Sequence, residues 1–312
     1  MCRILARTKD MPRKEWLRLR REGIGGSDAG SICGLNPYSS PMAVYQDKTS
    51  EEIVDVDNEA MRQGRDFEDY VAGRFMESAG KKVRRANVMY QSTEYPFMFA
   101  NVDRMVVGED AGLECKTASA YSADKWKDGH IPESYQLQCY HYMAVTGAEA
   151  WYIAVVILGR EFIWHKIERD EELIQNLISI EKDFWNNHVI PRIMPEPDGS
   201  DSSEKLIREY FGKALEEKAI PLTGFDEQLK RRTEITQLME KLDTEKKTIE
   251  QKLKMFMGDA EIAENEQYRV SWKNSDSARL DTKALKEEQP DIYNRYSKTI
   301  HSRRFLVKPM AS

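Results

Sequence analysis

Two acids and a lysine stand at a spacing that suits phosphodiester hydrolysis. Asp103 is followed by ten residues and then by Glu114 and Lys116. If the second segment is a strand, Glu114 and Lys116 share one face, because side chains alternate along a strand. A divalent cation such as Mg²⁺ would relieve the repulsion between the carboxylates and keep positions for a substrate phosphate, while the lysine orients or helps deprotonate a water. The pattern alone also fits a surface strand with one Glu–Lys pair.

The elements that must position these residues are predicted from hydrophobic periodicity. Residues 61–79 carry apolar side chains at four-residue steps and form a predicted helix, which ends at Gly80. Three strands are predicted next, at residues 83–90, 98–107 and 112–117. The acids and the lysine then lie on the hairpin of the second and third strands.

The order of the later elements predicts the fold class. A helix (133–146), a strand pair (151–156 and 162–167) and a long helix (170–189) follow the three strands. Helices alternating with strands in this way predict an α/β (α+β) fold with a mixed central sheet flanked by helices.

Two polar residues flank the predicted hairpin. Glu68 lies on the helix before the strands, and Gln138 lies on the helix after them. Taken singly, Glu68 fits a solvated helix acid and Gln138 a cap or a surface amide. Together with the hairpin they resemble the layout of the PD-(D/E)xK nucleases, whose core is restriction-endonuclease-like. Val102 stands where that name has proline, and the backbone carbonyl of Cys115 offers a further metal ligand.

Several ordered motifs make the resemblance more specific. Over residues 12–190 the chain resembles the YqaJ-type viral recombinase family, which holds phage 5′→3′ exonucleases similar to lambda exonuclease. The motifs are WLRLRREGIGGSD (16–28), GLNPYSSP (34–41), MRQGRDFE (61–68), ANVD (100–103), LECKT (113–117), YQLQ (135–138) and WYIA (151–154).

The resemblance implies a role for each matched catalytic residue. Asp103 and Glu114 match the metal ligands of the family, and Lys116 matches its catalytic lysine. Glu68 matches the acid that a helix holds near the metal, and Gln138 matches the helix glutamine, so both join the candidate catalytic set. The implied cofactor is Mg²⁺, which Mn²⁺ could replace.

By the same resemblance, Arg20 and Ser27 match the positions that grip a 5′-terminal phosphate. A guanidinium binds phosphate in a bidentate manner, and a serine at a glycine-rich turn that opens a helix adds a hydroxyl and backbone N–H donors. The adjacent Arg21 competes for the role, since with two consecutive arginines the alignment with the family motif could be shifted by one residue. Residues 23–27 also fit a plain helix start, with Ser27 or Asp28 as N-cap.

The resemblance predicts a metal-dependent 5′→3′ exonuclease that degrades double-stranded DNA from its ends in phage-type recombination. It further implies a homotrimer and a single-strand annealing protein as partner. A PD-(D/E)xK endonuclease and a non-catalytic DNA-binding assembly protein are the alternatives. A relative with an iron–sulfur cluster is disfavoured, because no cysteine follows Cys139.

Composition excludes some classes of protein. The chain has 312 residues, of which 40% are hydrophobic and 10% aromatic, and this excludes a wholly disordered chain. No apolar run approaches the ~18–20 residues that span a bilayer, and no signal peptide is visible. The four scattered cysteines indicate a reducing cytoplasm, which by the resemblance is that of a bacterial cell carrying a phage or prophage.

The sequence predicts a division near residue 194. Residues 1–194 form the predicted nuclease domain, residues 195–203 a linker, and residues 204–312 an accessory region. The accessory region contains a predicted helix with a partial heptad repeat, which fits either a coiled-coil dimer or a helix packed within its own chain. Its predicted elements are the helix 226–257 and strands at 268–273 and 304–308.

Overall fold

In a computed structural model, the protein divides into two compact units. The units are Met1–Phe211 and Gly212–Ser312. The first unit extends past the boundary predicted at residue 194, because the helix Asp201–Tyr210 packs on the helix Pro41–Thr49. The residues that the structure describes are 2–53, 55, 57–213, 219–299 and 302–308.

The first unit combines helices with two sheets. A 3₁₀ segment (Ala120–Gly129) precedes the helix Glu133–Thr146, and a π-helical turn (Trp185–Val189) extends the helix Glu171–Phe184. The elements in chain order are β1 (Cys2–Arg7), α1 (Arg13–Arg20), β2 (Ile24–Gly25), α2 (Gly26–Ile32), α3 (Pro41–Thr49), α4 (Glu59–Ala79), β3 (Val83–Arg85), β4 (Val88–Ser92), β5 (Met98–Asn101), β6 (Arg104–Val106), β7 (Ala111–Ala118), α5 (Glu133–Thr146), β8 (Ala150–Ile157), β9 (Glu161–Glu168), α6 (Glu171–Phe184) and α7 (Asp201–Tyr210).

Both sheets are mixed. The five-stranded sheet has the order β3-β6-β7-β8-β9, in which β7 and β8 are parallel and the other neighbours are antiparallel. The four-stranded sheet has the order β1-β4-β5-β2, in which β2 and β5 are parallel. The long central strand β8 is almost fully buried, so its side chains form the middle of the core.

Two predicted strands are each divided between the two sheets. Residues 83–90 form β3 and the start of β4, and residues 98–107 contain β5 and β6. Asn87, between β3 and β4, has a left-handed φ of 52°, which turns the chain from one sheet toward the other. The prediction that Asp103 lies on a strand is therefore wrong, since Asp103 lies on the connection between β5 and β6.

The helices that flank the five-stranded sheet follow the predicted pattern. On α4, Val71 and Phe75 are fully buried, and the helix ends at Gly80 with a left-handed φ of 65°. The helix α5 ends in the same way at Gly147. These two helices carry Glu68 and Gln138, so they bring both residues toward the strand that carries Glu114.

The short helix α2 approaches α5 very closely. A methyl group on Gly26 would lie 2.5 Å from a ring carbon of Tyr142, and one on Gly30 would lie 2.7 Å from Cβ of Ser134. The two glycines are four residues apart and therefore lie on the same face of α2. Only glycine at these positions allows the start of α2 to pack against α5.

The second unit contains a long helix and smaller elements. Its helix α8 carries Ile235, Leu242 and Ile249, whose side chains are each more than 40% exposed. The described residues 302–308 contain no strand, so the strand predicted at 304–308 is wrong. No helix in the described part of the chain has the length and apolar character needed to cross a bilayer. The elements are α8 (Asp226–Met257), β10 (Ile262–Glu264), β11 (Arg269–Ser271), α9 (Thr282–Glu288) and α10 (Pro290–Tyr296).

Candidate active site

Glu114 and Lys116 lie side by side on β7, as their spacing predicts. Lys116 Nζ donates a hydrogen bond of 2.7 Å to Glu114 Oε1. Glu114 is only 4% exposed, and its second oxygen, Oε2, is buried without a hydrogen-bond partner. A buried carboxylate oxygen without a partner is costly, so this atom points to a ligand that the polypeptide itself does not supply.

Gln138 reaches the same two side chains from α5. Its Oε1 accepts a hydrogen bond of 2.9 Å from Lys116 Nζ, and its Nε2 donates one of 2.7 Å to Glu114 Oε1. Nε2 also contacts the hydroxyl of Tyr142 at 2.9 Å. The three residues Glu114, Lys116 and Gln138 therefore form one polar network on the floor of the site.

Asp103 closes this network from the connection between β5 and β6. Its Oδ2 accepts a hydrogen bond of 2.9 Å from the backbone N–H of Cys115. Burial, and then the nearby carboxylates of Glu114 and Glu68, raise the pKa of Asp103 well above its usual value. The protein thus holds three carboxyl groups close enough together to raise the pKa of Asp103. The residues Asp103, Glu114, Lys116 and Gln138 are called the hydrolytic cluster below.

Lys116 is held as a cation. Burial lowers its pKa, but Glu114, Tyr135 and Asp103 together raise it by more, so the net pKa lies above the usual value. The ammonium also lies 4.7 Å from the centre of the Tyr135 ring. A permanently charged ammonium suits the orientation of a water or a phosphate oxygen better than proton abstraction by the lysine itself.

Glu68 lies next to the hydrolytic cluster, but its carboxylate is already paired with an arginine. Its carboxylate forms an ion pair with Arg104, which also contacts Asp69 at 2.6 Å and donates to the backbone carbonyl of Asp103 at 2.8 Å. Arg104 is 4% exposed. Arg104 is not among the residues predicted from the sequence, although its position directly after Asp103 could have suggested it.

The geometry fits a divalent cation that takes few protein ligands. The unpartnered oxygen of Glu114 and the raised pKa of Asp103 are the two features that a cation would explain. In the described part of the chain, no three His, Cys, Asp or Glu side chains form a cage that would hold a metal by themselves. Mg²⁺ commonly binds through one or two carboxylates and keeps several waters. The roles of Glu68 and the Cys115 carbonyl as ligands stay predictions.

The structure brings Arg20, and not Arg21, to Ser27. Arg20 Nη2 donates to Ser27 Oγ at 2.7 Å. Arg21 instead donates to the backbone carbonyls of Asp47, Ser50 and Glu52, so it fastens the segment after α3. The two guanidinium groups therefore have different partners, and the role of either in binding a phosphate stays a prediction.

The start of α2 is organised by Asp28 and not by Ser27. The N-cap residue is Gly25, and Asp28 accepts a hydrogen bond of 2.9 Å from its N–H group, so the predicted capping by Ser27 or Asp28 is wrong. Asp28 also contacts Arg20 at 2.9 Å and Lys48 at 2.7 Å. Ser27 is left exposed beside the guanidinium. The residues Arg20, Ser27, Asp28 and Lys48 are called the phosphate pocket below.

The charges of the phosphate pocket are paired: Asp28 contacts both Arg20 and Lys48, and Asp47 contacts Lys48 at 3.4 Å. Burial would raise the pKa of Asp28, but Lys48 and Arg20 outweigh this effect and hold its pKa well below the usual value. The Lys48 side chain is fully buried, whereas that of Arg20 is 29% exposed. One carboxylate therefore faces two cations, of which Arg20 is open to a ligand.

Comparisons with known proteins show which families and structures this chain resembles. The model of the YqaJ-like viral recombinase domain matches residues 15–149. The uncharacterized protein YqaJ of Bacillus subtilis (strain 168) is 42% identical over 312 residues, which cover 99% of this chain and 98% of that protein. The crystal structure of LHK-Exo in complex with dAMP has a TM-score of 0.50 at 19% identity and covers 64% of this chain and 99% of its own. A second structure of this alkaline exonuclease, from Laribacter hongkongensis, has a TM-score of 0.49 at 19% identity, with the same coverage of both chains.

The α/β fold, with mixed sheets flanked by helices, is shared with the LHK-Exo structure, as the predicted fold class requires. The chain belongs to the YqaJ-like viral recombinase family. The predicted family and fold class are thereby confirmed.

Proposed function

We propose that this protein is a metal-dependent 5′→3′ exonuclease that hydrolyses double-stranded DNA from its ends. The observation that carries the proposal is the hydrolytic cluster, in which Asp103, Glu114, Lys116 and Gln138 meet around an unpartnered buried oxygen. The membership of a viral recombinase family and the exonuclease fold support it.

The chain's own residues would orient the reacting groups. Asp103 and Glu114 would hold a Mg²⁺ ion, with Glu68 and the Cys115 carbonyl as further ligands, and Mn²⁺ could take its place. When bound, the cation supplies positive charge that stabilises the charge developing at phosphorus. Lys116 would donate hydrogen bonds to the attacking water or to a phosphate oxygen, since Glu114 keeps it charged.

The phosphate pocket supplies the proposed polarity. Arg20 and Ser27 would bind the 5′-terminal phosphate of one strand, through the guanidinium N–H groups and the exposed hydroxyl. Because α2 packs directly on α5, the bound end would lie at a fixed position relative to Gln138. An enzyme that holds the 5′ phosphate in this way removes nucleotides from the 5′ end.

We further propose a biological setting that follows from the family. The substrate is the end of a DNA duplex, and the reaction serves phage-type recombination in the bacterial cytoplasm. The single strand that remains would pass to an annealing protein, and the nuclease would act as a homotrimer. Both candidate sites are named from residues of the first unit, so we propose an accessory role for the second unit, Gly212–Ser312.

The test compares linear and circular duplex DNA, each with Mg²⁺ and with EDTA. We expect digestion of linear DNA only, in the presence of Mg²⁺ only. A Lys116→Gln protein prepared in the same way controls for contaminating nucleases. Nicking of the circles would instead identify an endonuclease, and DNA binding without cleavage would identify an assembly protein.

A further inference from the structure

One buried side chain, Tyr142, contacts both the hydrolytic cluster and the helix that carries the phosphate pocket. It lies on α5, four residues and so one helical turn after Gln138, and is only 4% exposed. The position is not among the residues that the motifs single out, because a tyrosine on a helix in the core looks like ordinary packing.

The Tyr142 hydroxyl fixes the direction of the hydrogen bonds in the cluster. Oη lies 3.2 Å from the backbone carbonyl of Asn101, which can only accept, so the hydroxyl must donate to it. The oxygen of the hydroxyl is then left to accept from Gln138 Nε2, at 2.9 Å.

This direction continues through the amide to the catalytic lysine. Because the NH₂ group of Gln138 faces Tyr142 and Glu114, its oxygen faces Lys116 and accepts from the ammonium. The reversed amide would set two donors against each other at Lys116. The tyrosine hydroxyl therefore supports, from a third side, the same orientation of Gln138 that Glu114 and Lys116 require.

The Tyr142 ring fixes the distance between α5 and the start of α2. Its carbon atoms fill the space that a side chain at Gly26 would need, with the closest approach at 2.5 Å from the position of such a methyl group. The ring also packs on Trp151 of β8, with 5.1 Å between the ring centres. Ser27 follows Gly26 directly, so the ring supports the first turn of the phosphate pocket.

We infer that Tyr142 is a positioning residue that sets the spacing between the phosphate pocket and the hydrolytic cluster. A 5′ phosphate on Arg20 and Ser27 then brings one particular phosphodiester to Lys116, which makes the product length uniform. This inference rests on the proposed exonuclease function, from which it takes the bound 5′ end. It adds that one side chain joins end recognition to the choice of the bond that is cut.

Two variants separate the hydroxyl from the ring. Tyr142→Phe keeps the ring on Gly26 and removes the hydrogen bonds, so we expect kcat to fall about tenfold with KM, product length and 5′-phosphate preference unchanged. Gly26→Ala leaves Tyr142 chemically intact and forces its ring and the start of α2 apart. For this variant we expect products of mixed length, and a 5′-phosphate over 5′-hydroxyl rate ratio that is at least about threefold lower.

A matched control accounts for loss of stability alone. Tyr152 is another buried tyrosine, whose hydroxyl donates to Glu109 at 2.9 Å outside both sites. We expect Tyr152→Phe to keep the product length, the phosphate preference and kcat of the wild type. Thermal melting of all three variants shows which of them are folded under the assay conditions.

The outcomes distinguish the inference from the function on which it rests. Wild-type protein that cleaves no DNA end rejects the proposed function itself. Wild-type cleavage together with an unchanged kcat in Tyr142→Phe overturns the positioning role of the hydroxyl. A folded Gly26→Ala protein with uniform products and full phosphate preference overturns the role of the ring.

Discussion

Asp28 in the phosphate pocket and Asp103 in the hydrolytic cluster are the same residue type, and the protein shifts their pKa values in opposite directions. Asp28 faces Lys48 and Arg20, which hold its pKa low. Asp103 faces Glu114 and Glu68, which together with burial raise its pKa. The difference lies in the neighbours, because both carboxyl groups are largely removed from water.

The two regions are therefore prepared for ligands of opposite charge. In the phosphate pocket, Asp28 is paired with Arg20 and Lys48, and the side chain of Arg20 is still partly exposed. The hydrolytic cluster keeps unneutralised acid and an oxygen without a partner at Glu114. A DNA end that carries phosphate and a divalent cation would each complete one of the two sites. The following predictions test this contrast, from the largest expected effect to the smallest.

Loss of the lysine should have the largest effect. In Lys116→Gln we expect the rate of linear DNA digestion to fall by about 10³-fold, because a neutral amide cannot stabilise the charge that develops at phosphorus. The amide can still donate to Glu114, which limits the loss of folding stability. The control is Lys166→Gln, which removes a lysine from the exposed ion pair with Glu168. Wild-type digestion by the Lys116→Gln protein would refute the catalytic assignment.

Loss of the charge on Asp28 should mainly affect folding. Asp28→Asn leaves the buried Lys48 with the more distant and half-exposed Asp47 in place of its buried partner, and we expect the free energy of unfolding to fall by about 3 kcal/mol. A carboxyl whose pKa is depressed on folding stabilises the protein above its unfolded pKa of about 3.9, and this contribution is lost as the pH falls through the folded pKa. The difference in the free energy of unfolding between wild type and Asp28→Asn should therefore become smaller at acidic pH.

Urea unfolding at about pH 6 and about pH 3 measures this difference. Asp198→Asn is a suitable comparison, because Asp198 accepts hydrogen bonds only from the serines at 200 and 203 and neutralises no buried lysine. Equal stability of wild type and Asp28→Asn near neutral pH would show that the pocket does not depend on this ion pair.

Loss of the guanidinium should affect the choice of DNA end. We expect the wild type to degrade 5′-phosphorylated ends faster than 5′-hydroxyl ends, and we expect Arg20→Ala to reduce that preference about tenfold. Rates on both kinds of end, measured with blunt duplexes of one sequence, give the ratio. The control is Arg18→Ala, on the same helix, α1. Equal rates on the two kinds of end in the wild type would remove the reason to propose a phosphate pocket.

Neutralising the other aspartate should have the opposite effect on folding. In Asp103→Asn we expect the metal-free protein to gain up to about 1 kcal/mol in stability, because the repulsion from Glu114 and Glu68 is relieved. The same variant should lose the rise in Tm that Mg²⁺ gives the wild type. Asp110→Asn, in an exposed turn, is the control. An unchanged response of Asp103→Asn to Mg²⁺ would show that this acid is not a ligand.

Removal of the second unit should have the smallest effect. A chain that ends at Phe211 keeps α7 on α3 and both sites, so we expect it to fold and to digest short linear duplexes at a rate within about threefold of the full chain. Circular dichroism and the digestion assay check this. Aggregation of the shortened chain would mean that the two units depend on each other for folding.

The sequence predicts the parts of this molecule that depend on local periodicity. The helix α5 begins and ends where the sequence places it, and its end follows from Gly147, which adopts a left-handed conformation. Glu114 and Lys116 share a face because they are two residues apart on one strand. These features need no knowledge of distant contacts.

The sequence does not predict the features that depend on distant partners. The division of residues 98–107 between two sheets follows from which strand each half pairs with, and hydrophobic alternation is the same in both cases. The choice between Arg20 and Arg21 depends on the backbone of residues 47–52, and the ion pair of Glu68 depends on Arg104. Tyr142 has no local signal, because its partner Asn101 lies 41 residues away in the chain.

The position of Asp103 between β5 and β6 has a consequence for the order of folding. The strand before it belongs to one sheet and the strand after it to the other, so this aspartate reaches its place only after both sheets have paired. The contacts that hold the cluster join residues 12, 22 and 41 positions apart in the chain. Closing such loops costs entropy before the contacts repay it, so they form late. A newly made chain would therefore complete its candidate site only after strands of both sheets have paired.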